Sequence, residues 1–566
     1  MLDTIIETAR AQAGIPNQLD FDQFENVIAM FDHAVATYPD KPAFSSLGKT
    51  LTLRELDQLA RRFTAFLQQQ TQLQRGDRIA IQMPNLIQYP VAMFGAMRAG
   101  LVIVNTNPLY SAPEVEHQLR DAGAKALVVL ANFAHNVSTI LANTDVQLVI
   151  VTEIADLHPP LKRTLMNFAV RYIKRMVPAF SIPGAISFRA ALRADPQAAI
   201  TAPAQPSDLA VLQYTGGTTG VAKGAMLSHR NLTANAQQGA AMFASYGMRD
   251  GVETFIAPLP LCHIYSFTVS MILISAGNHS VLIPNPRDLK SLIAEMRRYP
   301  FTGFCGLNTL FVALCQREDF AALDFSHMKM TVSGGMALTG GAAERWKKIT
   351  GNAIYEGYGL TEASPVVSVN PGTNNQLGTI GIAVSGTHIK VVDENNQALE
   401  LNQPGELCVQ GPQVMLGYWQ RPDETSKVLD AEGWLRTGDI AIVREDGYIK
   451  IVDRKKDVIV VSGFKVFPGE VEDVLSRHPD ILECAVIGVP DEHSGEVVKA
   501  FVVLRKPGLT EQQVRDFCHQ NLTGYKTPKH VEFRKDLPKS NVGKVLRRAL
   551  RDEELAKSKP SVTATR

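Results

Sequence analysis

Tyr214-Thr-Gly-Gly-Thr-Thr-Gly-Val-Ala-Lys-Gly224 is the most informative stretch of the chain. A short β-branched run, Val211–Tyr214, leads into it, and Ser228-His-Arg-Asn, a helix entry, follows. Gly216, Gly217 and Gly220 let the backbone fold tightly and turn its N–H groups toward an anion. Thr215, Thr218 and Thr219 add hydroxyl donors, and Lys223 adds a positive charge. The pattern predicts a loop that cradles a polyphosphate. It is not a Walker A loop, because no G-x-x-x-x-G-K-[ST] can be read here.

Working outward, residues 30–150 alternate apolar β-branched runs with helical patterns. Asp77–Gln82, Leu101–Asn105, Lys125–Leu130 and Gln147–Thr152 read as buried strands, with helices over Gln88–Ala99 and Ala112–Asp121. Strand–helix alternation implies a parallel, doubly wound sheet. The pattern recurs after about residue 205, in strands Val211–Tyr214, Glu253–Ile256 and Ser280–Ile283 and helices Ser291–Arg298 and Gly341–Thr350. From 365 to 450 short strands such as Ile389–Val392 and Glu406–Gln410 are punctuated by Gly, Pro and Asn, which suggests a small antiparallel barrel. The fold class is therefore α/β: a large N-terminal domain, 1–453, of two doubly wound αβ subdomains plus a small β-barrel.

The charged run Asp453-Arg-Lys-Lys-Asp457 marks a boundary, with a smaller mobile α+β domain over 454–566. That domain carries 21 Lys+Arg against 16 Asp+Glu, whereas the whole 566-residue chain is nearly neutral, with 57 against 56. Such a balance excludes a nucleic-acid binder that depends on bulk positive charge. The six cysteines form no C-x-x-C pair, which fits reduced thiols in a cytosolic protein and no structural zinc. The first twenty residues do not read as a signal peptide. The longest apolar candidate, Tyr89–Val104, is interrupted by Arg98 and is too short to span a bilayer.

With these motifs in place, the chain resembles the adenylate-forming enzymes, which include acyl-CoA synthetases, luciferases and peptide-synthetase adenylation domains. YTGGTTGVAKGAMLSHRN is similar to that family's phosphate loop. PLPLCHIYSF (258–267), SGGMAL (333–338), YEGYGLTE (355–362), GELCVQGPQVMLGYW from 405, GWLRTGDIA from 433, IVDRKKDVIVVSGFKVFPGEVE from 451 and PKSNVGKVLRR from 538 follow in the family's order. Within the family, MPNLIQYPVAMFGAMRAG, NPLYSAPEVEHQL, RYIKRMVP and LTGYKTPKHVEF are similar to the bacterial long-chain fatty acyl-CoA synthetases.

The resemblance implies a long-chain fatty acid, ATP and CoA as substrates and Mg²⁺ as cofactor. It implies that Tyr214 and Thr215 through Lys223 hold the β- and γ-phosphates, and that Glu362, with Thr218, binds Mg²⁺. Thr361 would meet the α-phosphate, Tyr358 would stack on adenine beside Glu356, Gly357 and Gly359, and Gly335, Met336 and Ala337 would line the nucleotide. Asp439 and Arg454 would serve the ribose. Lys544, in Ser540-Asn-Val-Gly-Lys544, would bridge carboxylate and α-phosphate. His263 would gate the acyl pocket or neighbour the carboxylate, although Cys262 replaces the aromatic common there in relatives. Lys456 matches the hinge, and Gly463 and Phe464 would face the site only after the small domain rotates.

Leu161–Val177 reads as a basic amphipathic helix, with Leu161, Leu165, Phe168, Ala169, Tyr172 and Met176 on one face. Lys162, Arg163, Arg171, Lys174 and Arg175 add five positive charges and no acid. Peripheral contact of a cytoplasmic protein with the anionic inner face of the membrane is expected; an ordinary surface helix is the alternative. A homodimer follows by analogy alone. The rivals are a ligase for another carboxylate such as an aryl acid, and a fatty-acid-binding protein without catalysis.

Overall fold

The computed structural model describes residues 2–215, 222–491, 493–540 and 545–558. The loop residues Gly216, Gly217, Thr218, Thr219 and Gly220, and the residue Lys544, lie outside them.

Three sheets build the N-terminal region. One has eight strands in the order Gly417–Tyr418, Lys223–Ser228, Leu209–Thr215, Val102–Asn105, Arg78–Gln82, Ala124–Leu130, Leu148–Thr152 and Ile186–Ser187. From Leu209–Thr215 onward its ladders are parallel, as the strand–helix alternation predicts. The second has nine strands, with a parallel centre of Tyr355–Gly359, Met330–Ser333, Gly303–Gly306, Thr254–Ala257, His279–Leu282 and Pro42–Ser46.

The two sheets exchange chain segments. Residues 42–52 join the second sheet, through Pro42–Ser46 beside His279–Leu282, although they precede every strand of the first. Leu209–Thr215 returns to the first sheet beside Val102–Asn105. The expected two doubly wound units are present, but the strand–helix alternation did not reveal that they exchange strands. Local periodicity reports that a strand exists, whereas its neighbours are chosen by contacts far away in sequence.

The third sheet is antiparallel, in the order His388–Val392, Gly405–Gln410, Leu435–Val443, Ile449–Arg454. Its outer strands share no ladder, so the expected small barrel is an open, barrel-like sheet. Register shifts at Glu406/Cys408 and Ile440/Ala441 supply local bends without closing it. The C-terminal region folds on a five-stranded sheet over 459–534 flanked by helices Pro468–Ser476, Glu511–Asn521 and Arg547–Ser558.

Helix entries follow local chemistry. Thr52 and Glu55 form a reciprocal capping box at Leu53–Gln70, as do Ser228 and Asn231 at His229–Ala244. The apolar stretch around Tyr89 is a core helix, Gln88–Arg98, fully buried between helix Leu53–Gln70 and the first sheet. Its Arg98 is fully buried and ion-paired with Asp32 and Asp57. No described helix is long and apolar enough to cross a membrane.

Candidate active site

A cleft of about 1560 Å³ opens where the strand ends of both large sheets meet the third sheet and the C-terminal region. Thr215 and Lys223, which flank the expected polyphosphate loop, line this cleft: Leu209–Thr215 pairs antiparallel with Lys223–Ser228, and Thr215 faces Lys223 in register. The sequence had placed the loop between a strand and a helix. A second strand intervenes, and the helix at His229 begins only after it.

Lys223 does not stand alone. Its ammonium contacts the Glu424 carboxylate and lies 5.3 Å from the centre of the Tyr418 ring. The hydrogen bond from Lys223, seconded by Lys427, holds Glu424 down at about 2. Tyr214 is buried, and its hydroxyl donates to Asp121 at 2.7 Å. Burial first, and that carboxylate second, push its phenol well above the usual range.

The YEGYGLTE segment runs along the cleft as strand Tyr355–Gly359 and the tight turn Thr361–Ala363. Thr361 and Glu362 line the cleft, and the Tyr418 hydroxyl donates to Glu362 Oε1 at 2.7 Å. Tyr358 donates to Asp439 Oδ2 at 2.5 Å, and Arg454 Nε lies 3.5 Å from Asp439 Oδ1. Strand pairing sets this last contact, because Asp439 faces Arg454 in the ladder. Glu356 is buried, accepts the Gly378 amide at 2.8 Å, and is pushed up to about 7 by burial.

Gly359 has no room for a side chain: a Cβ there would lie 2.2 Å from the Pro365 carbonyl oxygen. Gly335, with φ of 77°, turns the chain after strand Met330–Ser333 and places Met336 and Ala337 on the cleft wall. His263 caps helix Ile264–Ser275, with Nδ1 accepting the Tyr265 amide at 3.3 Å. An accepting Nδ1 leaves the proton of the neutral ring on Nε2.

The small domain also faces the cleft. Lys456 lines its wall while remaining partly open to solvent, and desolvation followed by the charge of Arg454 lowers its ammonium below the ordinary lysine value. Ser540 and Val545, which flank the segment carrying Lys544, line the same space. Arg547 binds this region down, with ion pairs to Asp453 at 2.8 Å and Glu472 at 2.6 Å.

Gly463 and Phe464 stand apart from the cleft. They belong to a hairpin whose turn residues, Ser462 and Gly463, both have positive φ, and Phe464 is exposed and stacks on Tyr525 at 4.9 Å. Sequence reasoning missed Tyr418, Glu424 and Asp121. The GYW run at 417–419 was visible as a motif, but nothing local says that its tyrosine reaches a carboxylate 56 residues away.

Comparison with known proteins finds relatives along nearly the whole chain. The AMP-binding enzyme family matches residues 31–419, and the AMP-binding enzyme C-terminal domain matches residues 470–544. The chain is 51% identical over 553 residues to a long-chain-fatty-acid–CoA ligase of Escherichia coli O157:H7, covering 97% of this chain and 98% of that one. A long-chain-fatty-acid–CoA ligase of Salmonella typhimurium is 50% identical with the same coverage. Among solved structures, the anthranilate CoA ligase AuaEII in complex with anthranoyl-AMP superposes with a TM-score of 0.85 at 25% identity, over 95% of this chain and 100% of that one. With a family match over 31–419 and half of its residues shared with these ligases along nearly the whole chain, the chain belongs to the AMP-binding enzyme family.

Proposed function

We propose that this chain is a long-chain fatty acid–CoA ligase acting in two half-reactions at the one cleft. The observation that carries this reading is the meeting of two surfaces. Polar Lys223, Thr361, Glu362, Tyr358 and Asp439 and apolar Met242, Val269, Ile272, Met330 and Val332 line the same cleft, together with His263. The near-full-length identity to fatty acid ligases favours a fatty acid over an aryl acid as occupant.

In the first half-reaction a carboxylate oxygen of the fatty acid attacks the α-phosphorus of ATP. The bond to the bridging oxygen of the β-phosphate breaks, and pyrophosphate leaves. The acyl group loses its repelling negative charge and gains a good leaving group. Lys223 holds the outer phosphates, Thr361 the α-phosphate, and Asp439 with Arg454 the ribose. Lys544, outside the described residues, bridges carboxylate and α-phosphate as charge shifts between them. In the second half-reaction the CoA sulfur attacks the acyl carbonyl, the thiol proton passes to solvent, and AMP departs. Both steps concentrate negative charge, so catalysis rests on positioning and electrostatic stabilisation.

Glu362 fits a Mg²⁺ role: it is a carboxylate on the cleft wall with one oxygen held by Tyr418. Mg²⁺ uses one or two carboxylates and takes its other ligands from phosphate and water. When bound it would neutralise charge on the phosphates. We place the domain boundary at 453/454, with Lys456 as hinge. The position of Gly463 and Phe464 away from the cleft supports a second orientation of the small domain for the CoA step.

The same reading makes the protein cytoplasmic, with peripheral contact at the inner membrane face through residues 160–176; a homodimer rests on analogy alone. The test of the activity is an acyl-chain series assayed for AMP formation with and without CoA and Mg²⁺. AMP release should require both and favour long chains. A preference for aryl acids over every fatty acid would overturn the assignment.

A further inference from the structure

The loop that carries His263 has an unusual hydrogen-bonding problem. Strand Thr254–Ala257 ends at Pro258, and Pro258 and Pro260 lack N–H groups, so residues 258–263 do not continue the ladder, yet Leu259, Leu261 and Cys262 are buried. Ser266 Oγ donates to Leu259 O at 2.7 Å from the following helix, and a network of four side chains from the first sheet and its connections reaches across to the same loop.

Asn85 Nδ2 donates to Ala257 O at 3.0 Å and Leu259 O at 2.8 Å, while its Oδ1 accepts the Leu261 amide at 2.8 Å. Gln213 Nε2 donates to Cys262 O at 2.9 Å. Gln213 Oε1 accepts from Asn105 Nδ2 at 2.8 Å, and Asn105 Oδ1 accepts the Tyr89 hydroxyl, which also lies 3.3 Å from Leu261 O. All four side chains are buried.

The orientation of each amide is forced, because a carbonyl can only accept. Gln213 must therefore turn its nitrogen to Cys262 and its oxygen to Asn105. A buried network with every member satisfied is rigid. It ends one residue before His263, whose position as the cap of the following helix is fixed from the other side.

We propose that Gln213 and Asn85 are positioning residues for His263, tying its loop to the opposite sheet so that the imidazole meets the fatty carboxylate at a fixed place. This rests on His263 neighbouring the carboxylate. Neither amide needs to touch the reacting atoms. Misplacing a positioned group by about 1 Å costs up to roughly a hundredfold in rate.

The test is a double-mutant cycle in the full-length chain, read by fatty-acid-dependent exchange of pyrophosphate into ATP. Q213A and N85A should each lower kcat for exchange by about tenfold or more, with KM for ATP unchanged. In the H263A background Q213A should add less than about twofold, because the group it positions is gone. Multiplying losses would show that Gln213 acts independently of His263 and would overturn the proposal. An unaffected Q213A enzyme would do so too. If H263A alone leaves exchange intact, the reading of His263 fails instead. Should Q213A not fold, Gln213→Glu replaces it: its shape is kept and Asn105 can still donate to it, but it turns an oxygen to the Cys262 carbonyl, and the same non-additivity is expected.

Discussion

Burial governs Glu356. The carboxyl sits on strand Tyr355–Gly359 with the Gly378 amide on one oxygen, and desolvation outweighs that donor and raises it to about 7. The folded chain therefore holds this proton to higher pH than the unfolded chain does. Its contribution to stability is complete below the ordinary carboxylate range and is lost as pH rises through about 7. The shift corresponds to something on the order of 3 kcal/mol. Glu356→Gln should flatten the fall in Tm between about pH 5 and 8, because the uncharged amide has no proton to lose. Parallel Tm curves for the two proteins would refute this account. The sequence marked Glu356 as part of a motif and could not reveal its burial. Gly359 is similar. It was legible as a glycine near adenine, whereas the space it must leave is for the Pro365 carbonyl of its own chain.

At the scale of elements, residues 160–176 separate what periodicity can tell from what it cannot. The apolar face was legible, and the structure leaves it bare: Leu161 is 75% exposed, Phe168 54% and Tyr172 62%. The helix is not the single run expected. It continues from Pro160–Phe168 as a π-turn over Ala169–Ile173 and ends before Arg175, whose φ is 52°. A widened turn shifts the face by part of a residue, so Ile173 joins the apolar side, 71% exposed. The charge count changes as well, because Arg171 pairs with Glu153 at 2.7 Å, a partner from before the helix. Lys174 and Arg175 are thus better probes of anionic lipid than Arg171. Reversing both to Glu should lower co-sedimentation with anionic vesicles by more than about tenfold, at roughly 1 kcal/mol per basic residue near the surface. Reversing Arg171 as well should add little further loss. Both residues are exposed, so Tm should hold. Unchanged vesicle binding would mean that this face does not meet lipid.

For the whole molecule, the α/β layering was legible, because strands such as Ala124–Leu130 and Leu148–Thr152 are apolar runs between helical patterns, whereas Gly303–Gly306 and Tyr355–Gly359 carry no such run. The assembly of the layers was not. Buried polar residues such as Asn105 and Gln213 are silent in a hydrophobicity pattern, yet they join the two sheets. The position of the small domain is equally non-local. Arg547 ties its last helix to Asp453 and Asp457, and Lys465 pairs at 2.8 Å with Glu394 in the turn after strand His388–Val392. The largely buried Arg547 pairs hold the arrangement described, whereas the exposed Lys465–Glu394 pair adds little, so a second arrangement needs a defined pivot. Lys456 lies in the short turn Lys455–Asp457, directly after the last strand of the large domain. If the small domain serves the two half-reactions in two orientations, the residues separate by step. Lys544→Ala should abolish acyl-adenylate formation yet spare thioester formation from supplied acyl-adenylate. Lys456→Pro, which locks φ near −65°, should do the reverse: adenylation proceeds in the orientation described, and the CoA step slows because the pivot cannot turn. Measuring both half-reactions on both variants decides the matter. Equal losses in the two steps for either variant would mean that one fixed orientation carries out both.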